Sequence, residues 1–324
     1  MSHVLDSNFE KVTAVVITQK TVFVLGAGAH CSYGFPSGKA LKREVVTTLR
    51  ESIESHSESS LLLMPSALGI QTEEVQNHRV SAFATALEKS GQGSIDAFLN
   101  SNRHQVGFET IGKAGIAQVL LRHEETASDQ ADDWLGYIFE IMCDGISTPE
   151  DFVSQNHIAF VTFNYDRYLE FWLQEKLQHS FGIDRTASLD LLSRIEIHHV
   201  YGSLGSIQNI HNVSGKTWMQ ASRGIRTIFD AERCEDEIDK SKTLLRLAKI
   251  VCLLGYGFHQ ENVALLGLVD CLSRTDVLVA SSRFELMDSD WQRLTRPLAA
   301  ASIQVQGAHC SYKCLTALRH LPVF

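Results

Sequence analysis

The 324-residue chain has seven cysteines but no C-x-x-C pair. Structural zinc is held by four ligands that commonly come from two such pairs, so the sequence predicts no zinc ribbon and no other metal site. Cysteines that are odd in number and widely scattered also favour a reducing compartment over a disulfide framework. We therefore expect a cytoplasmic protein without structural zinc.

Other features are absent as well. No apolar run approaches the roughly 18 residues that a membrane span needs, and the N-terminal segment MSHVLDSNFEKV lacks the apolar core of a signal peptide. The formal net charge is −9 and there is no basic run, which argues against strong direct binding to nucleic acid. The loop motif G-x-x-x-x-G-K-[ST] is also missing, so an associated ATPase would be a separate protein.

Short apolar runs, bounded mostly by Gly, Asp, Asn or Ser, are the main secondary-structure signal. They are β-branched and uninterrupted, as expected for strands that are covered on both faces of a parallel sheet. The runs are 21–26, 158–163, 195–201, 249–255, 276–280 and 302–306. Helix-like patterns lie between them, and this alternation predicts an α/β fold with a doubly wound, Rossmann-like parallel sheet.

The interval 42–155 departs from that alternation because its periodicity is helical throughout. We interpret it as a helical module that is inserted after the first strand–helix unit, and we predict that it caps a nucleotide cleft. The chain shows neither an internal repeat nor an independent second domain. We therefore predict a single domain over residues 1–324.

The stretch TVFVLGAGAHCSYGFPSG, residues 21–38, joins an apolar run to a helix-like segment through the turn Gly26–Ala29. A small-residue turn between a strand and a helix is how a doubly wound fold presents backbone N–H groups to a pyrophosphate. The stretch departs from the dinucleotide fingerprint, because the next glycine comes only in Gly34–Pro36. A tight turn that merely connects strand and helix is the alternative interpretation.

Four blocks of the chain, taken in order, resemble the Sir2-like (sirtuin-related) NAD-binding domain family. They are G-A-G-A followed by G-F-P within 21–38, IAFVTFNYD at 158–166, IEIHHVYGSLG at 195–205 and KIVCLLGYGF at 249–258. The absence of C-x-x-C pairs separates the chain from the deacylase branch. It is similar instead to the zinc-less branch, which includes bacterial anti-phage NADase effectors.

The resemblance implies that NAD⁺ binds as substrate at the carboxyl edge of the sheet. A serine after the run 276–280 is added to the site because its hydroxyl would face the adenosine ribose. The predicted cofactor-binding residues are Gly26, Ala27, Gly28, Ala29, Phe35, Pro36, Tyr201, Gly202, Gly255, Tyr256 and Ser281. The preference between NAD⁺ and NADP⁺ stays open.

Asn164, in T-F-N-Y-D, follows an apolar run and so lies at the edge where open α/β sheets bind ligands. Resemblance assigns it the family's catalytic asparagine, which contacts the nicotinamide ribose and positions the attacking water. An asparagine that only satisfies a strand-end turn is the alternative. Asp166 is a further catalytic candidate at the ribose, or else it caps the helix that begins nearby.

The family usually has a histidine directly before the glycine of the third block, where this chain has Tyr201. His199 is two residues earlier, so on a strand it would point to the same face as Tyr201, about 6–7 Å away. Its ordinary pKa suits proton transfer near neutrality. We therefore predict His199 as the catalytic base; a structural histidine in an apolar strand is the alternative.

These expectations converge on an NAD⁺ glycohydrolase that cleaves NAD⁺ to nicotinamide and ADP-ribose. Similarity to anti-phage effectors implies that it depletes NAD⁺ on activation, that it forms a homo-oligomer, and that a separate HerA-like ATPase or translocase is its partner. One alternative is a non-catalytic regulatory module that binds NAD⁺ or ADP-ribose. A less favoured alternative is an NAD-dependent protein deacylase.

Overall fold

A computed structural model describes residues 16–54, 73–128, 132–207, 215–227, 230, 234–284, 286–306, 309 and 313–321. Within these residues the chain forms one six-stranded, all-parallel sheet in the order β3-β2-β1-β4-β5-β6. The strands are β1 Thr21–Leu25, β2 Ile158–Thr162, β3 Glu196–His199, β4 Ile250–Leu254, β5 Leu278–Ser281 and β6 Val305–Gln306. This is the strand order of a Rossmann-like doubly wound fold, and it confirms the predicted fold class.

Fourteen helices flank the sheet in the described part of the chain. They are α1 Gly38–Glu54, α2 Glu73–Lys89, α3 Ile95–Ser101, α4 Phe108–Thr126, α5 Trp134–Cys143, α6 Pro149–Gln155, α7 Tyr168–Phe181, α8 Arg185–Leu192, α9 Gly215–Ser222, α10 Glu235–Leu247, α11 Gln260–Leu265, α12 Leu268–Leu272, α13 Asp288–Ala300 and α14 Cys314–Arg319. Four of them are preceded by an N-cap residue whose side chain accepts a hydrogen bond from a backbone N–H of the first turn. These caps are Ser94, Asp133, Thr148 and Asp184.

The centre of the sheet is built from the three most apolar strands, β1, β2 and β4, in which every residue is buried. Phe23 of β1 stacks on Phe160 of β2 with their ring centroids 5.3 Å apart. Each such fully buried side chain contributes roughly 1.5–3 kcal/mol relative to its exposed state. The register places Leu25 beside Thr162 on one side and Leu254 on the other, so three strands end at the same edge.

The strand order reverses between β1 and β4, because later strands add outward on opposite sides of this pair. In open α/β sheets ligands bind outside the carboxyl ends of the strands at this switch point. The turns after Leu25, Thr162 and Leu254 therefore lie where a nucleotide site is expected.

Three predicted strands have the wrong boundaries. The run 276–280 forms a strand at Leu278–Ser281, so Ser281 lies in β5 and not after it. The run 195–201 forms a strand only to His199, since the chain turns at Val200–Gly202 and Gly202 has a φ of 68°. Tyr201 therefore lies beyond the strand, and the shared strand face that we predicted for it and His199 does not exist. The run 302–306 forms only the two-residue β6.

Within the predicted insertion 42–155, the described residues 42–54, 73–128 and 132–155 contain most of α1 and all of α2 to α6. Their side chains reach residues that follow β1 and β2. Tyr165 donates a hydrogen bond of 2.6 Å to Asp96 of α3, and Tyr33 donates one of 2.9 Å to Asp133. Arg167 contacts Glu124 of α4. The helices thus contact the carboxyl edge of the sheet.

Replacement of Gly255 by alanine is expected to destabilise the protein by at least about 2 kcal/mol. Its φ is 56°, a conformation that costs an L-residue roughly 1–2 kcal/mol, and a Cβ there would overlap the backbone nitrogen of Ala29. Gly182 is the matched control, because its φ is 62° but nothing lies within 4 Å of its Cβ position. Urea unfolding should show a larger loss for Gly255→Ala than for Gly182→Ala; equal losses would mean that the close approach is unimportant.

Candidate functional site

The turn after β1 is joined to the turn after β4 by backbone hydrogen bonds. The Gly26 amide donates to the Leu254 carbonyl at 3.0 Å, and the Gly28 amide donates to the Gly255 carbonyl at 3.1 Å. A Cβ on Gly28 would come within 2.9 Å of the Gly255 Cα. The glycines of this turn are therefore required for contact between two backbone segments. Three of its amides, those of Gly26, Gly28 and Ala29, are already paired within the protein.

The other predicted residues of this region differ in exposure. Ala27 is half-buried and Gly28 is exposed, so this part of the turn faces outward. Ala29 is buried, and its carbonyl accepts a hydrogen bond of 2.8 Å from the Trp134 indole. Phe35 and Pro36 are also buried. They support the turn from within the protein.

Asn164 lies two residues beyond β2 and is 6% exposed. Its backbone N–H donates a hydrogen bond to the Thr162 hydroxyl at 3.0 Å, and its backbone carbonyl oxygen is 2.8 Å from Nδ1 of His199. Its side-chain Nδ2 is buried and has no hydrogen-bond partner among the described residues. Leaving such a donor unpaired costs about 1–3 kcal/mol, and that cost is removed if a ligand accepts the bond.

Both ring nitrogens of His199 are engaged. Nδ1 faces the Asn164 carbonyl, and Nε2 lies 2.8 Å from a carboxylate oxygen of Glu170. Burial alone would lower the pKa of His199, but the Glu170 carboxylate and these hydrogen bonds raise it to about 9. The side chain is therefore an imidazolium near neutral pH, and this arrangement favours an orienting role over the base role that the sequence predicted.

The raised pKa of His199 gives a prediction on stability. The pKa rises from an ordinary 6.5 to about 9 on folding, so the contribution of His199 is complete below pH 6.5 and is lost as the pH rises through 9. At about 1.4 kcal/mol per pKa unit it is on the order of 3 kcal/mol. The free energy of unfolding of His199→Gln, measured in urea across this range, should depend less on pH than that of the parent. Equal pH dependence would contradict the ion pair with Glu170.

Asp166 is buried and contacts a histidine that sequence reasoning missed. Its Oδ1 lies 2.7 Å from Nδ1 of His30 and accepts a hydrogen bond of 3.2 Å from the Tyr168 amide. Burial opposes ionisation of Asp166, but the nearby His30, the Tyr168 amide and His199 lower its pKa overall. Asp166 thus accepts a hydrogen bond from the first amide of α7 and also orients the His30 ring. The signal in the sequence was the position of His30 directly after the G-A-G-A turn.

Tyr201 and Tyr256, both predicted to bind the cofactor, pack on Phe163, and each ring centroid is 5.5 Å from that of Phe163. Tyr201 donates a hydrogen bond of 2.8 Å to Asn262, and burial raises its pKa. The Tyr256 hydroxyl is buried without a partner in the described part of the chain. Gly202 is half-buried, and its amide donates to the His199 carbonyl at 3.1 Å.

Ser281 does not present its hydroxyl to the edge of the sheet. Its Oγ donates to the Leu253 carbonyl at 3.0 Å, and the residue is 1% exposed. The next residue, Ser282, accepts a hydrogen bond of 2.8 Å from the Gly255 amide. Both serines therefore stabilise the β4–β5 edge.

A separate cavity of about 710 Å³ lies at the opposite edge of the sheet. It is lined by the amino ends of β1 and β2 and by α10, including Lys20, Arg194 and Leu247. It is remote from the turns described above, and none of the predicted site residues lines it.

Among the described residues, no group of three or more His, Cys, Asp or Glu side chains could hold a metal ion. No helix in that part of the chain combines the length and apolar character needed to cross a membrane. The sequence matches no protein-family model and no curated protein.

Proposed function

We propose that this protein is an NAD⁺ glycohydrolase whose site lies at the carboxyl ends of β1, β2 and β4. The observation that carries the proposal is a set of three buried polar atoms without partners among the described residues. They are Nε2 of His30, Nδ2 of Asn164 and the hydroxyl of Tyr256. They belong to the three turns that meet at the switch point of the sheet, where a ligand rich in hydroxyl and amide groups would satisfy them.

The charges around these atoms suit cleavage of the nicotinamide–ribose bond. Such cleavage builds positive charge at the anomeric carbon, as in glycoside hydrolysis, and the buried Asp166 carboxylate would stabilise it. Nicotinamide leaves as a neutral molecule, so it requires little help from an acid. Asn164 would hold water or a ribose hydroxyl, while the His199 imidazolium fixes the Asn164 backbone through its carbonyl.

A non-catalytic module that binds NAD⁺ or ADP-ribose is the second candidate. It is favoured by His199, whose ring nitrogens both have hydrogen-bond partners, and by Tyr201, whose hydroxyl donates a hydrogen bond to Asn262. Neither side chain offers a free base near neutral pH. In this alternative the same turns would bind the dinucleotide without cleaving it.

In the cell, we propose that the activity depletes NAD⁺ as an anti-phage response in the cytoplasm. A homo-oligomer and a separate HerA-like ATPase would hold it inactive until triggered. These proposals rest on the four sequence blocks alone. Purification from the native host, followed by identification of co-eluting proteins, tests them.

The activity is tested by incubating the purified protein with NAD⁺ or NADP⁺, with and without an acetylated peptide, and quantifying products by chromatography. Equimolar nicotinamide and ADP-ribose without peptide are expected. Binding of NAD⁺ without turnover would support the regulatory module. Turnover only with the peptide would support a deacylase.

A further inference from the structure

We propose that His30 is the catalytic base of this site and that Asp166 positions it. The inference deepens the proposed NAD⁺ hydrolysis and rests on it. His30 is 1% exposed and directly follows the turn after β1. Asp166 comes two residues after Asn164, so the pair lies at the edge of the sheet that carries the other unpaired polar atoms.

The hydrogen bond between the two side chains determines where the imidazole proton resides. Asp166 is ionised, because its pKa is lowered by the surrounding donors. Its Oδ1 therefore accepts a hydrogen bond from the Nδ1–H of His30, 2.7 Å away. With the proton of that bond on Nδ1, the lone pair of a neutral imidazole lies on Nε2. This atom is buried and has no hydrogen-bond partner among the described residues. A buried carboxylate that fixes the tautomer of a histidine base is a recurring catalytic arrangement.

The surroundings of His30 hold the ring in place. Tyr33, Phe35 and Tyr168 pack around it with ring centroids 5.7–6.3 Å from its own. Tyr33 is itself fixed, since its hydroxyl donates to Asp133. A base must be held within hydrogen-bond reach of the proton that it removes, and this packing provides that rigidity.

Two other titratable side chains near this edge of the sheet, those of His199 and Tyr201, have no polar atom left without a hydrogen-bond partner. Both ring nitrogens of His199 are engaged in hydrogen bonds, and the Tyr201 hydroxyl donates a hydrogen bond to Oδ1 of Asn262. His198 has Nδ1 2.6 Å from Glu237 of α10, and its Nε2 lies 3.9 Å from a Glu196 carboxylate oxygen, without a hydrogen-bond partner in the described part of the chain. Adjacent strand residues point to opposite faces, which separates His198 from the His199–Asn164 contact.

In the proposed step, water attacks the anomeric carbon and nicotinamide leaves. Nε2 of His30 takes one proton from water while the water oxygen forms a bond to the anomeric carbon. The bond from that carbon to nicotinamide breaks, and its electron pair goes to the nicotinamide nitrogen, which becomes neutral. The imidazolium then releases the proton to solvent, so NAD⁺ and water yield nicotinamide, ADP-ribose and one proton.

The test compares the parent with His30→Gln, Asp166→Asn and the control His198→Gln. We expect His30→Gln to lower kcat by about 10²–10⁴-fold, with NAD⁺ affinity by calorimetry changed only a few-fold. Asp166→Asn keeps the size of the side chain but donates to Nδ1, so it moves the ring proton to Nε2 and should give a similar loss. His198→Gln should retain parental activity. Circular dichroism checks the fold of each variant.

The pH profile separates a base from a structural histidine. The groups facing His30 are Asp166, Tyr33 and Tyr168, and His199 also acts on Asp166. The pH profile of kcat should differ between the parent and His30→Gln, which lacks the proposed base, and it should be the same in the parent and His198→Gln. Parental kcat in folded His30→Gln or Asp166→Asn would overturn the inference while leaving NAD⁺ hydrolysis standing. A parent protein that does not cleave NAD⁺ would overturn both.

Discussion

Asn164→Ala is expected to lower the rate of NAD⁺ cleavage by about 10²–10³-fold, the usual loss for one pre-organised polar contact to a transition state. The same change should leave the free energy of unfolding nearly unaltered. The side-chain Nδ2 has no partner among the described residues, so removing it breaks no bond and removes a buried unpaired donor. Activity should therefore fall while stability does not.

This dissociation distinguishes catalysis from the structural alternative. An asparagine that satisfies a turn would show the reverse result, with stability lost and turnover retained in the folded fraction. Asn164→Asp serves as the second variant, because it keeps the size of the side chain but removes the Nδ2 donor. Nicotinamide release and urea unfolding on the same preparations measure both quantities. Near-parental turnover in folded Asn164→Ala would refute the assignment.

Glu124→Ala is expected to destabilise the protein by about 3–5 kcal/mol, as removal of one partner from a buried ion pair does. The Arg167 and Glu124 side chains are 2% and 5% exposed. Glu124 accepts hydrogen bonds from the Arg167 amide at 2.7 Å, from Nε at 3.2 Å and from Nη2 at 2.5 Å. Alanine would leave a buried guanidinium without its counter-charge.

The pair Arg50–Glu88 is the matched control, because it is also bidentate but its side chains are 46% and 48% exposed. Solvent screens such a pair, so Glu88→Ala should hardly move the urea midpoint. Similar losses for Glu88→Ala and Glu124→Ala would show that burial does not set the strength of the Arg167 pair. Restored stability in Glu124→Ala with Arg167→Met would confirm that the unpaired charge causes the loss.

The strands could be predicted because the physical signal is local. A run of about five residues that are mostly β-branched or aromatic, such as Thr21–Leu25, is typical of a strand that is covered on both faces of a parallel sheet. Boundaries were less predictable, since they depend on backbone conformation. The helical segment between β4 and β5 divides into α11 and α12 at Gly267, whose φ is 55°. The third strand ends before Tyr201.

In the candidate site, only the placement of residues that follow strands could be predicted. Asn164 and the turn Gly26–Ala29 follow from the rule that ligands bind at carboxyl edges. Contacts between distant segments could not be read from spacing. His30 and Asp166 are 136 positions apart, and Arg167 and Glu124 are 43 apart. The engagement of His199 by Glu170 depends on how α7 packs beside β3, which no motif encodes.

The position of β1 at the centre of the sheet has a consequence for how the chain folds. Thr21 pairs with Ile158 and with Ile250, so the most apolar strands meet only after very long loops close. Contacts of high sequence separation slow folding, whereas the backbone hydrogen bonds of helices α1–α6 join residues four positions apart. During synthesis, β1 has no strand partner until β2 has emerged. Chains truncated before β4 should therefore leave a long apolar strand edge unpaired and aggregate.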